Sequence, residues 1–151
     1  KEFLKIVFLL FNRAVVENIQ IDVLSRPYLK RFDGGLNHVL AKEAVKNNVA
    51  IELCFKDVLR TYLSHRSKVI SNFKDIYTLY RKFDFPLILS TRADSVFDIR
   101  TTHDFISVFK QTGLTNSEIE KSFMTAHDIL EFNENRDKMI LKGVRRVVDE
   151  A

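Results

Sequence analysis

Short apolar runs alternate with longer stretches of helical periodicity along the first two thirds of the chain. Ile19-Gln20-Ile21-Asp22-Val23-Leu24 predicts a strand, bounded by Ser25-Arg26-Pro27 and followed by a loop containing Asp33-Gly34-Gly35. From Leu36 to Asn47 the apolar residues Leu36, Val39, Leu40 and Ala44 fall at helical spacing. Val49 to Phe55, rich in β-branched and apolar residues, predicts the next strand. Ser67 to Lys82 predicts a helix carrying Val69, Ile70, Phe73, Ile76, Tyr77 and Tyr80 along one side. Pro86 then opens a third strand, Leu87-Ile88-Leu89, where proline at the first position is tolerated.

Beyond that point the pattern turns helical. Thr102 is placed to cap a helix from His103 to Lys110, which Gly113 ends. Thr115-Asn116-Ser117-Glu118 has capping-box spacing before a short helix, and a further helix is expected after Thr125. Residues 145–151 read as a frayed tail, and Phe3 to Glu17 as a helix. No linker or low-complexity tract divides the chain, so residues 1–151 are expected to form a single domain.

Strands separated by single helices imply parallel pairing through right-handed crossovers. The expected fold is therefore α/β: TIM-barrel-like parallel βα repeats with a helical C-terminal part. Three strands do not close a barrel, which usually takes roughly 200–250 residues. With a first residue other than methionine and an apparent start inside a helix, the chain is expected to be a fragment lacking its first strands.

Composition narrows the picture only slightly. The chain has 151 residues, 46% of them hydrophobic, with 13 Phe and no Trp; the Phe fall mainly in segments read as core. The single cysteine, Cys54, sits inside an apolar run and is expected to be a buried structural thiol. An internal disulfide is excluded, which suits a reducing compartment, and a cytoplasmic location is expected. The longest apolar stretch, Ile6 to Phe11, is far short of the roughly 20 residues a membrane helix needs. Net charge is +4 and uneven: residues 116–151 carry six Lys/Arg against eight Asp/Glu, so the body is basic.

In parallel α/β folds, functional groups gather beyond the C-terminal ends of the strands. After the first expected strand come Arg26, Lys30, Arg31 and then His38; after the second, Lys56, Asp57 and Arg60; after the third, Ser90, Thr91, Arg92, Asp94, Asp98 and Arg100. Guanidinium groups form forked hydrogen bonds to phosphate, so such an edge suits an anionic backbone. The alternative is a set of solvated cations paired with Asp33, Asp57, Asp94 and Asp98. His38 and Lys42 share a helical face, i to i+4, while His65, His103 and His127 have no metal-ligand spacing. No Gly-rich phosphate loop, Cys-x-x-Cys or Gly-x-Ser-x-Gly is present, which weighs against a self-sufficient enzyme of the common classes. Asp22 and Glu52 interrupt apolar strands and are costly inside a barrel unless paired; Arg26 and Arg92 are the natural partners, and a metal pair is the sharper alternative.

Five blocks carry a resemblance in order: Asp22-Val23-Leu24-Ser25-Arg26-Pro27, Gly35-Leu36-Asn37-His38-Val39-Leu40-Ala41-Lys42, Asn48-Val49-Ala50-Ile51-Glu52, Phe85-Pro86-Leu87-Ile88-Leu89-Ser90 and Ser95-Val96-Phe97-Asp98-Ile99-Arg100. Over roughly residues 19–135 the chain resembles the archaeal ribonuclease P protein component 3 family, related to a eukaryotic subunit. The resemblance implies a barrel like that of the polymerase and histidinol phosphatase (PHP) superfamily. It implies work in a ribonucleoprotein whose RNA performs magnesium-dependent cleavage at the 5′ end of precursor tRNA, with no cofactor held by this chain. It also implies pairing with ribonuclease P protein component 2 and other subunits, and relatives that run longer, mainly at the N-terminus.

PHP phosphoesterases bind metal through His at strand ends and a Glu on a strand. Glu52 looks like that Glu, and the His-like positions look to be taken by Arg26 and by Thr91-Arg92-Ala93-Asp94. The expectation is thus a former metal site turned into an anion-binding surface, with Arg26, Arg31, His38, Lys42, Arg92 and Arg100 on RNA and no catalytic residue. Asp22, Glu52 and Asp98 are expected as buried or supporting acids. Two departures from the family stand out: Thr91-Arg92-Ala93 replaces an expected Ser-Gly-Ala, and His103 stands where Pro is common. The competing functions are a PHP-type metal-dependent phosphoesterase and a protein-only assembly scaffold.

Overall fold

The computed structural model describes residues 12–135 throughout, together with the backbone of residues 6–8, 139–141 and 144–145. Its centre is a parallel sheet of four strands, β1 Ile6–Phe8, β2 Val23–Ser25, β3 Ala50–Cys54 and β4 Leu87–Ser90, hydrogen-bonded in that order. Each register step is straight: Phe8 aligns with Ser25, Ser25 with Glu52 and Glu52 with Ile88. The expected parallel βα repeat is what forms, and the barrel it belongs to is not closed.

Two expectations at the start of the chain are corrected. Ile6–Phe8 is a strand rather than part of a helix, because these residues pair with β2; helix α1 covers only Asn12–Val16. The strand expected from Ile19 begins only at Val23. Before it, the Asn18 side chain accepts the Gln20 N–H and its carbonyl accepts the Ile21 N–H, so local turn bonds take the donors a longer ladder would need.

Helix α2, His38–Asn47, starts where the Asn37 side chain accepts the N–H groups of Val39 and Leu40, and stops at left-handed Asn48. The strand expected through Phe55 ends at Cys54, and a short helix α3, Phe55–Arg60, follows at once. Helix α4 runs Leu63–Phe83 and ends at Asp84, also left-handed. Helix α5, Thr102–Thr112, is capped by Thr101, one residue earlier than expected, and terminated by Gly113 at φ 122°. The Thr115/Glu118 capping box forms as expected. The two helices expected after it are one, α6, Asn116–Glu134, because the Thr125 hydroxyl donates back to the Lys121 carbonyl within the turn instead of capping a new start. Strands β5, Met139–Leu141, and β6, Val144–Arg145, form a small antiparallel pair. Arg145 therefore lies in a strand, and residues 146–151 of the expected frayed tail lie outside the described residues.

The main apolar cluster lies on the outer face of the sheet. Leu24, Ile51, Leu53, Leu87 and Leu89 pack there with Ala41 and Ala44 of α2, Phe73, Ile76, Tyr77 and Tyr80 of α4, and Phe105 and Phe109 of α5. Aromatic pairs knit this layer: Phe73 stands edge-on to Tyr28 at 5.0 Å and stacks on Phe109 at 6.0 Å. On the inner face a smaller cluster joins Val23, Ala50 and Ile88 to Ile129 of α6.

Candidate nucleic-acid interface

Three loops meet at the C-terminal edge of the sheet: residues 26–37 after β2, α3 and the turn into α4 after β3, and residues 91–101 after β4. Ion pairs stitch them together. Arg26, at φ 56°, turns its guanidinium onto Asp57 of α3 as a fork, with Nε 2.8 Å from Oδ2 and Nη2 on Oδ1. The buried Tyr28 hydroxyl donates to the same carboxylate at 2.6 Å and accepts the Cys54 N–H at 3.1 Å. Burial is the largest cause holding the Tyr28 phenol well above its ordinary pKa. Arg60 forks onto buried Asp98 at 2.9 and 2.6 Å, Asp98 also accepts the Asp94 N–H, and Lys56 pairs with Asp94. These bonds hold the Asp94 and Asp98 carboxyls below their ordinary values.

The loop after β2 is shaped by one glycine. Gly35 sits at φ 75°, and a Cβ there would lie 2.0 Å from the Pro27 carbonyl oxygen. Asn12 of α1 donates to both the Pro27 and Gly35 carbonyls, fastening the loop to the body. Arg92 occupies the left-handed region at φ 43°, the conformation in which the expected Gly would be relaxed; its Nη1 donates to the Ser25 hydroxyl at 3.1 Å. His103 simply lies exposed in the first turn of α5.

Arg26, Arg92, Arg31 and Arg100 thus lie on loops of one edge. Arg31 pairs with Asp33 at 2.8 Å, both well exposed, and Arg100 donates to the Phe97 and Ile99 carbonyls. All four aspartates named as cation partners, Asp33, Asp57, Asp94 and Asp98, are paired. His38 and Lys42 are exposed on α2. The His38 ring stands edge-on to Phe83, 5.6 Å between centroids, and Phe83 leads into the start of β4, so this contact belongs to the helical layer. The six cations are therefore not one cluster.

Arg26 departs from the expected partner and Asp22 from the expected place. Arg26 pairs with Asp57 and not with Asp22 or Glu52, because the left-handed backbone at Arg26 sends the side chain across to α3. Asp22 lies at the opposite, N-terminal end of the sheet, lining a cavity of about 700 Å³ with Lys46, Asp84, Lys121 and Asp128. Glu52 is on the inner face beside Ser25, and its Oε2 is buried with no hydrogen-bond partner among the described residues. Cys54 is fully buried; burial, helped by the charge of Glu52, pushes its thiol up to about 12, far from a reactive thiolate. Among the described residues no group of three or more His, Cys, Asp or Glu could hold a metal ion.

Sequence reasoning did not single out Tyr28 or name Arg60 as a cross-loop tie. Residue type was the available signal for the latter, since Arg60 follows a strand end and Asp98 was among the acids expected to pair with the cations there.

A parallel βα sheet with an ion-paired, cation-rich loop edge defines an α/β protein of the TIM-like, barrel-derived class. The family model described as RNase P subunit p30 matches residues 10–138, and the chain belongs to that family. It is 47% identical over 135 residues to ribonuclease P protein component 3 of Methanothermobacter thermautotrophicus, covering 89% of this chain and 55% of that one. To the protein of the same name from Methanocaldococcus jannaschii it is 36% identical over 141 residues, 92% of this chain and 60% of the relative. A solved chain in a cryo-EM structure of archaeal ribonuclease P with mature tRNA superposes with a TM-score of 0.79 at 35% identity, covering 93% of this chain and 61% of that one. The chain spans a little over half the length of these curated relatives.

Proposed function

We propose that the chain works as a protein subunit of ribonuclease P, holding RNA on the C-terminal edge of its sheet while RNA performs the cleavage that removes the 5′ leader of precursor tRNA. The observation that carries this is the loop edge itself in a chain of this family: residues 26–37, 55–66 and 91–101 hold eight Lys and Arg against four Asp. That surplus of +4 equals the net charge of the whole chain. Arg31, Arg92 and Arg100 are the phosphate contacts in this proposal, since exposed or partly exposed guanidiniums exchange weak local partners for phosphate at little cost. Arg26 supports the edge from beneath through Asp57. His38 and Lys42 form a separate contact on α2. Magnesium is then a requirement of the catalytic RNA, component 2 and the other subunits are the protein partners, and the cytoplasm is the site of action. Among the described residues no helix is long and apolar enough to cross a membrane.

The test is twofold. Precursor-tRNA cleavage reconstituted from the RNA and component 2 should rise when this protein is added. The Arg31→Ala/Arg92→Ala/Arg100→Ala variant should bind RNA more weakly, with the slope of log K against log salt reduced by about three charges. Unchanged affinity and slope would refute the assignment. Arg26→Ala is a poor probe, because it leaves buried Asp57 uncompensated and threatens folding.

A further inference from the structure

The same edge carries something phosphate binding does not explain. Each of its three loops holds a largely exposed aromatic ring: Phe32 is 94% exposed, Tyr62 71% and Phe97 82%. Leu63, Val96 and Ile99 are exposed beside them, so the edge carries an apolar patch with one large ring in each of three adjoining loops rather than a scatter. Each ring also has an arginine within four residues of it in the chain. Arg31 precedes Phe32, the Arg66 guanidinium lies 5.6 Å from the centre of the Tyr62 ring, and Arg100 donates to the Phe97 carbonyl at 2.7 Å. The cross-loop pairs Arg26–Asp57, Arg60–Asp98 and Lys56–Asp94 hold the loops against one another.

We propose that Phe32, Tyr62 and Phe97 form a stacking platform for unpaired RNA bases, with Arg31, Arg66 and Arg100 taking the adjoining phosphates. This rests on the RNA-binding proposal above and adds the class of RNA. Bases in a duplex already stack on each other and offer no free face, whereas single-stranded bases stack readily on exposed rings. The net +4 of these loops favours a polyanion as the occupant over a protein surface, and the leucine variant below separates the two.

The experiment uses a short single-stranded RNA containing 2-aminopurine, whose fluorescence falls on stacking, and a duplex of the same sequence. The full chain should quench the probe and prefer the single strand. The Phe32→Leu/Tyr62→Leu/Phe97→Leu variant keeps apolar bulk at exposed positions. It should lose at least about tenfold in single-strand affinity together with the quenching, while its salt slope and duplex binding stay unchanged. Circular dichroism matching the parent checks its fold. Unchanged affinity and quenching overturn the proposal, as does a variant that loses a protein partner but keeps its RNA. If the arginine variant loses salt-dependent binding while the leucine variant keeps full affinity, the platform fails and RNA binding stands. If the parent itself shows no salt-dependent affinity, both fail.

Discussion

On the outer face of the sheet, Ile51 and Leu53 of β3 point into a layer of leucines and rings contributed by α2, α4 and α5. On the inner face, one residue along the same strand, stand Glu52 and Cys54, with Ser25 and Ser90 on the neighbouring strands. The two faces come from one apolar run, yet one is wholly apolar and the other sets polar side chains among small apolar ones. The larger apolar cluster lies on the outer face, while the inner face places buried polar groups beside the small cluster of Val23, Ala50, Ile88 and Ile129. A strand buried on both sides hides this division, because burial alone does not distinguish packing against a core from lining a site.

The sharpest test of that division is Phe73→Ala, which empties the outer layer at a fully buried ring. It should cost about 3–5 kcal/mol in denaturant unfolding. A loss below about 1 kcal/mol would mean the outer layer is not where stability lies. Glu52→Gln addresses the inner face. Since the Glu52 Oε2 has no hydrogen-bond partner among the described residues, removing the charge should change stability by less than about 1 kcal/mol or increase it. A larger loss would reveal a cation that depends on this carboxylate.

Glu118 supplies the opposite case, a glutamate with its oxygens satisfied. It is forked by Arg81 at 2.8 and 3.0 Å and accepts the Thr115 N–H at 2.8 Å. The Arg81 bond is the main cause bringing its pKa from 4.5 to about 2. A carboxyl depressed in the folded state stabilises fully above its unfolded value and progressively less as pH falls toward the folded one. The parent should therefore lose a small increment of thermal stability between pH 4.5 and about 2 that Glu118→Gln does not lose. Parallel pH profiles of melting temperature check this, and equal slopes would place the Arg81 pair among surface contacts without energetic weight.

Much of the architecture was legible in the residues. Helical spacing from Leu36 to Asn47 and from Ser67 to Lys82, the Thr115/Glu118 box and the terminating Gly113 all describe elements that form. Ile6–Phe8 was not legible as a strand, because three apolar residues next to a helix carry no period of their own and become a strand only by pairing with Val23–Ser25. The cation-rich edge was legible as composition after each strand, but its wiring was not. Arg26 meets Asp57 thirty-one positions away, Arg60 meets Asp98 thirty-eight away, and His38 faces Phe83 rather than the edge.

The sequence by itself determined the parallel βα order, the residues of the core, the family and the sign of the charge at one edge, since each rests on local spacing or on residue type. Only the tertiary structure decided which acid neutralises which arginine, which buried carboxylate oxygen has no hydrogen-bond partner among the described residues, and which rings stay in water. Those outcomes depend on distances between segments remote in the chain, and on left-handed backbone at Arg26 and Arg92 that aims a side chain in a direction no local pattern encodes.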